Sequence, residues 1–133
     1  MCQLISFFHN PNTGAIKVWD LTGHSETQEH LKLDDTKWRE GHYMPNGKIE
    51  CRVLDTDKYT EGYCNERLKE KYPTFKSFLQ WCLGQSIGGL LDLRGCDLKG
   101  IKLPESIGGS LYLGGCDLKG IKLPEKFKSK IIV

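Results

Sequence analysis

Ser86–Glu105 reads SIGGLLDLRGCDLKGIKLPE and Ser106–Glu125 reads SIGGSLYLGGCDLKGIKLPE, two 20-residue copies that agree at 17 of 20 positions. A third copy opens at Lys126 and runs to Val133. It sets Phe127 where the first two have Ile87 and Ile107, and Ile131 and Val133 where they have Leu111 and Leu113. Self-similarity at a fixed short period marks stacked units, each too small to bury its own apolar face. Leu91 and Leu93 flank Asp92, and the period of two along a strand sends both leucines inward. The three differences between the copies are Leu90/Ser110, Asp92/Tyr112 and Arg94/Gly114. They fall at alternate positions, so everything structural is repeated and only the outward face varies.

The stretches Leu91-x-Leu93-x-x-Cys96-x-Leu98 and Leu111-x-Leu113-x-x-Cys116-x-Leu118 resemble the strand-and-turn core of the leucine-rich repeat, and Ile101-x-Leu103-Pro104-Glu105 resembles the Leu-Pro segment of short bacterial versions. The resemblance covers residues 86–133 and implies short parallel strands about 4.8 Å apart. One position departs from it: the leucine expected three residues before Leu91 is Gly88, with Ile87 in its place.

Working toward the N-terminus, Thr60–Leu83 has apolar residues at three- and four-residue steps, broken by Pro73 and closed by Gly84. A helix before Pro73 and another from about Thr74 are predicted. The second is expected to cover the open end of the repeat, which would not fold without such a cap. Gln3–Phe8 and Ala15–Leu21 flank turn-forming residues, as do Lys37–Tyr43 and Lys48–Leu54, so two β-hairpins are predicted. In the second hairpin Asn46-Gly47 is expected to supply the positive φ angles of the turn. Thr22–Leu33 reads as one helical turn or a loop. The fold class is therefore α+β, with antiparallel hairpins over 1–59, a helical cap over 60–85 and a leucine-rich-repeat-like parallel coil over 86–133.

The formal net charge is only +2, which excludes a general drive toward nucleic acid. The balance is uneven, with 11 Lys+Arg against 12 Asp+Glu over residues 1–85 and 8 against 5 over residues 86–133. No apolar run approaches the roughly 20 residues that span a bilayer, and Met1-Cys2-Gln3-Leu4 does not open a secretory signal. A cytoplasmic protein without membrane contact is expected. On that basis the six cysteines are expected to be free thiols, with Cys96 and Cys116 stacked and reduced. No CxxC pair, P-loop, GxGxxG, Ser-His-Asp signature or paired-carboxylate motif occurs, so neither metal nor cofactor is expected and a binding role is favoured over an enzyme. The remaining catalytic alternative is Cys2 as an N-terminal nucleophile, although the Cys-Gly-Ile start of glutamine amidotransferases is here Cys2-Gln3-Leu4.

The candidate partner-binding strip is Leu90, Asp92, Arg94, Ser110 and Tyr112, against the alternative that exposed positions drift freely. The second candidate is an anion-binding face in which Lys99 stacks on Lys119 and Lys102 on Lys122, against the preferred reading of a solvated basic face. Trp38, Arg39, His42 and Tyr43 form a third cluster that reads as a pocket edge or as half-buried strand. Ile131-Ile132-Val133 is read as an edge strand and favours a homodimer. The Ile-Gly-Gly-x-Leu-x-Leu-x-Gly-Cys repeats joined to a short β/α region resemble proteins encoded by bacteriophages and prophages. That resemblance implies an accessory protein that blocks a bacterial host protein, as anti-CRISPR and other anti-defence proteins do, or one that sequesters an anionic nucleotide or nucleic acid.

Overall fold

A computed structural model describes residues 4–85, 87–88, 91–104 and 110–116, and the backbone of 131–132. Its first half is a four-stranded antiparallel sheet of order β2-β1-β3-β4, with β1 Ile5–His9, β2 Ile16–Lys17, β3 Arg39–Tyr43 and β4 Ile49–Cys51. The two predicted hairpins are both present, and β1 joins them by pairing with β3 from Ile5↔Tyr43 to His9↔Arg39. β1 is buried along its whole length, as befits a central strand covered on both faces. The predicted strand Ala15–Leu21 contracts to two residues, although Ser6 N–H still donates to Leu21 C=O at 2.9 Å.

The turns place Pro and Gly where their dihedral preferences fit. Gly47 N–H donates to Met44 C=O at 2.9 Å, so Pro45 and Asn46 are the central pair and Gly47 alone carries positive φ, at 94°. This corrects the expectation that Asn46 and Gly47 share the positive angles. Pro45 favours the first central position of an ordinary turn, and the following Gly47 then absorbs the left-handed bulge that restores the strand's twist.

Thr22–Leu33 resolves toward helix, with α1 at Ser25–Leu31. α2, Glu61–Lys71, starts at the cap Thr60, whose hydroxyl accepts from Tyr63 N–H, and it ends two residues before Pro73. α3, Phe75–Leu83, begins with a reciprocal capping box: Thr74 Oγ1 accepts from Ser77 N–H at 3.1 Å, and Ser77 Oγ accepts from Thr74 N–H at 3.0 Å. The break at Pro73 and the end at Gly84 fall where the sequence put them.

One hydrophobic cluster runs through all of these elements. Ile5, Phe7, Tyr43, Ile49 and Cys51 face Cys64 and Leu68 of α2 and Phe78, Leu79 and Cys82 of α3. Phe78 is the hub, edge-on to Phe7 and Tyr72 and stacked with Tyr43, each at 5.2 Å between ring centroids. The buried Tyr43 hydroxyl is satisfied by donating to Tyr72 C=O at 2.7 Å. The same cluster continues into Ile87, Leu91, Leu93, Leu98, Ile101, Leu111 and Leu113. Gln80 of α3 holds this part at one backbone position, accepting from Lys102 N–H at 2.8 Å and donating to Lys102 C=O at 3.1 Å. Beyond α3, β5 Leu91–Asp92, β6 Leu111–Tyr112 and β7 Ile131–Ile132 pair in parallel, each residue opposite its counterpart 20 positions on.

The glycine at position 88 has a tertiary cause. Its N–H donates to Trp19 C=O at 3.0 Å, and the Trp19 indole lies against its Cα so closely that a Cβ would sit 1.9 Å from Trp19 Cζ2. Ile87 is buried in the core, as its assignment to the leucine's place requires.

Candidate functional site

Leu91, Leu93, Leu111 and Leu113 point into the core, which leaves Asp92 and Tyr112 on the opposite side of their strands and directly across from each other. Backbone bonds Leu91 N–H to Ser110 C=O and Leu93 N–H to Tyr112 C=O, both 2.9 Å, fix that register. Arg94, two residues after Asp92, projects on the same side. Its Nε and Nη2 donate to the two Asp92 carboxylate oxygens at 2.9 and 2.7 Å, and its backbone N–H adds a third bond at 3.1 Å. The guanidinium carbon lies 5.4 Å from the Tyr112 ring centroid, and the stem of the side chain passes over Gly114. The result is an exposed arginine held over the neighbouring copy's tyrosine.

The structure thus brings together Asp92, Arg94 and Tyr112 and sets Ser110 beside them at half exposure. It departs from the sequence reading at one member. Asp92 is buried, because the guanidinium fork matches a carboxylate two residues away on the same strand face and covers it. Arg94's hydrogen bonds hold the Asp92 carboxyl below its ordinary range, and Asp92 in turn raises Arg94. The outward contacts are therefore Arg94 and Tyr112, with Asp92 as their support. Leu90 lies outside the described residues, as do Lys119 and Lys122; Lys99 and Lys102 are exposed.

The cluster Trp38, Arg39, His42 and Tyr43 forms no pocket edge, because alternation along β3 splits it. Tyr43 is core, Arg39 is buried in an ion pair with Asp57 at 2.8 Å, and His42 lies on the opposite face of the sheet. Trp38, just before the strand, is half-buried beneath the Lys17 ammonium at 4.9 Å.

Three of the described cysteines, Cys51, Cys64 and Cys82, are buried. Burial pushes the Cys51 thiol up to about 12 and raises Cys64 and Cys82, so the reactive thiolate is suppressed at all three. Cys116 donates its S–H to Leu93 C=O of the preceding copy at 2.8 Å. Cys96 is disulfide-bonded, which corrects the expectation that all six thiols are free. That expectation rested on an inferred compartment and took no account of which thiols the fold brings within reach of each other. Cys2, the alternative nucleophile, lies outside the described residues. Iodoacetamide at pH 8 is expected to label Cys51, Cys64 and Cys82 at least about 100-fold more slowly in the native protein than in urea, as read by peptide mass mapping. Comparable rates in the two states would show that these thiols are not shielded by the fold.

Among the described residues no group of three His, Cys, Asp or Glu side chains is disposed to hold a metal, and no helix is long and apolar enough to cross a membrane. Sequence reasoning also missed His24 and His42, which the fold brings to ring contact at 4.9 Å between centroids across 18 residues, a separation with no periodic signal. No family model matches this chain, and no curated protein or solved structure matches it either.

Proposed function

We propose that the protein is a non-catalytic recognition module whose C-terminal strands are rungs of a short leucine-rich-repeat-like coil, and that it binds a partner protein through Arg94 and Tyr112. The observation that carries this reading is the convergence of three of the six varying residues, Asp92, Arg94 and Tyr112, on one exposed, preorganised arginine–tyrosine couple. Arginine and tyrosine are the residue types on which interface energy concentrates, and an arginine already fixed in its bound geometry loses little entropy on binding. The parallel pairing at 20-residue intervals and the buried leucines support the coil. The resemblance to phage-encoded repeat proteins supplies the partner class: a bacterial host defence component, blocked by occlusion in the manner of an anti-CRISPR protein.

Two variants test this. Tyr112→Ala removes the platform, and Asp92→Ser with Arg94→Ser removes the pair together so that no carboxylate is left buried alone. Both are expected to unfold within about 1 kcal/mol of the parent and to lose at least about tenfold in capture of the host protein retained from bacterial lysate. They are also expected to lose any protection conferred on phage in a defended host. Undiminished capture by both variants would refute the site. Calorimetric heat with cyclic nucleotides that disappears in Lys99→Ala, Lys102→Ala would instead support sequestration of an anion by the lysine face.

A further inference from the structure

We propose that His24 and His42 form a proton-operated latch, which fastens the start of α1 to the outer face of the antiparallel sheet at neutral pH and loosens on acidification. The segment leading into α1 holds itself together locally. Thr27 Oγ1 accepts from Asp20 N–H at 2.8 Å, and Asp20 Oδ1 accepts from both the N–H and the hydroxyl of Thr22. Its side-chain attachment to β3 is His24. That ring stands edge-on to Phe8 at 5.2 Å, lies 4.9 Å from the His42 ring, and has Nε2 3.2 Å from Gly41 C=O. A carbonyl can only accept, so Nε2 is the donor to Gly41 and Nδ1 is the ring nitrogen turned toward Glu40.

The charged groups around the pair decide what a proton does there. Glu40 of β3 faces His24 Nδ1 at 4.0 Å, and Glu50 of β4 faces His42 Nδ1 at 3.9 Å. Arg52, just past β4, competes for Glu40 at 3.8 Å. From β1 the pair meets only uncharged side chains, Phe8 and, opposite His42, Ser6. One proton therefore finds a carboxylate to receive it. A second must enter beside an existing imidazolium, and the contact that brings the two rings together becomes a repulsion. Consistent with this arrangement, His42 is made a weaker base first by burial and then by the charge of His24. Coupling of this kind splits the titration into two steps that belong to the pair.

The test follows the imidazole Cε1–H resonances of the full chain by NMR from pH 8 to 4.5, together with amide exchange over residues 25–31. The His42 resonance is expected to shift in two steps, because its surroundings change when either ring of the pair takes up a proton. Protection of the α1 amides is expected to fall at least about tenfold between pH 7 and pH 5 in the parent, and by less than about threefold in His42→Gln. A single-step shift of the His42 resonance in the parent would overturn the latch, as would an equal loss of protection in the two proteins. If His42→Gln does not fold, the parent titration alone decides between these outcomes.

Discussion

Gly88→Ala is expected to cost about 3 kcal/mol, at the upper end of what overpacking ordinarily costs. A Cβ at this position meets Trp19 Cζ2 at 1.9 Å and Cε2 at 2.1 Å, separations that no side-chain adjustment at residue 88 can relieve. The indole must move, and moving it gives up the contacts that seat it. Its own carbonyl is bonded to the Gly88 N–H, and its ring is stacked on His30 at 4.1 Å. The double-mutant cycle separates a clash from a general intolerance: in a Trp19→Ala background, where the space is vacated, Gly88→Ala is expected to cost less than about 1 kcal/mol. Urea unfolding of the four proteins measures both terms. A Gly88→Ala variant within 0.5 kcal/mol of the parent on this about-3 kcal/mol expectation would show that the Trp19 contact does not constrain the fold. Gly88→Leu restores the residue that the repeat pattern leads one to expect three positions before Leu91, and for the same reason it is expected not to fold.

That contrast shows where sequence reading reaches and where it stops. Features set by near neighbours are legible: the inward leucines at 91, 93, 111 and 113, the helix break at Pro73, the end at Gly84, and the two hairpins around Pro–Gly turns. Each follows from a period or a dihedral preference that acts within a few residues. The contacts that decide the rest join positions with no such relation. Trp19 reaches Gly88, Arg39 reaches Asp57, and His24 reaches His42. Even on the candidate surface, alternation placed Asp92 outward correctly but could not tell that Arg94 would fold back over it and remove it from solvent. The turn at Met44–Gly47 failed for a smaller reason: Asn-Gly suggested its usual hairpin type, and Pro45, one residue earlier, selects another.

Asp57→Asn is expected to lose about 2–3 kcal/mol at pH 7, with a pH dependence that identifies the ion pair as the cause. Arg39 Nε and Nη2 donate to the two Asp57 oxygens at 3.0 and 2.8 Å, and both side chains are almost wholly buried. Removing one partner leaves a guanidinium out of water without its counter-charge, which ordinarily costs 3–5 kcal/mol or about that. The figure here is lower because Arg39 keeps bonds to the carbonyls of Asp35, Thr36 and Trp38. Hydrogen bonding from Arg39 holds the Asp57 carboxyl below its ordinary range, so the folded state prefers the ionised form more than the unfolded chain does. The stabilisation is therefore fully present above the unfolded carboxyl's value of about 3.9 and is lost as pH falls through the lower folded value. The gap between parent and variant should stay constant from pH 7 to about 5 and close below about 4. Arg39→Met combined with Asp57→Ala leaves no charge unpaired and should recover part of the loss at pH 7. Urea melts of the three proteins across this range decide the matter: a gap that persists undiminished at pH 3 would mean that Asp57 does not stabilise the fold through its ionised carboxylate.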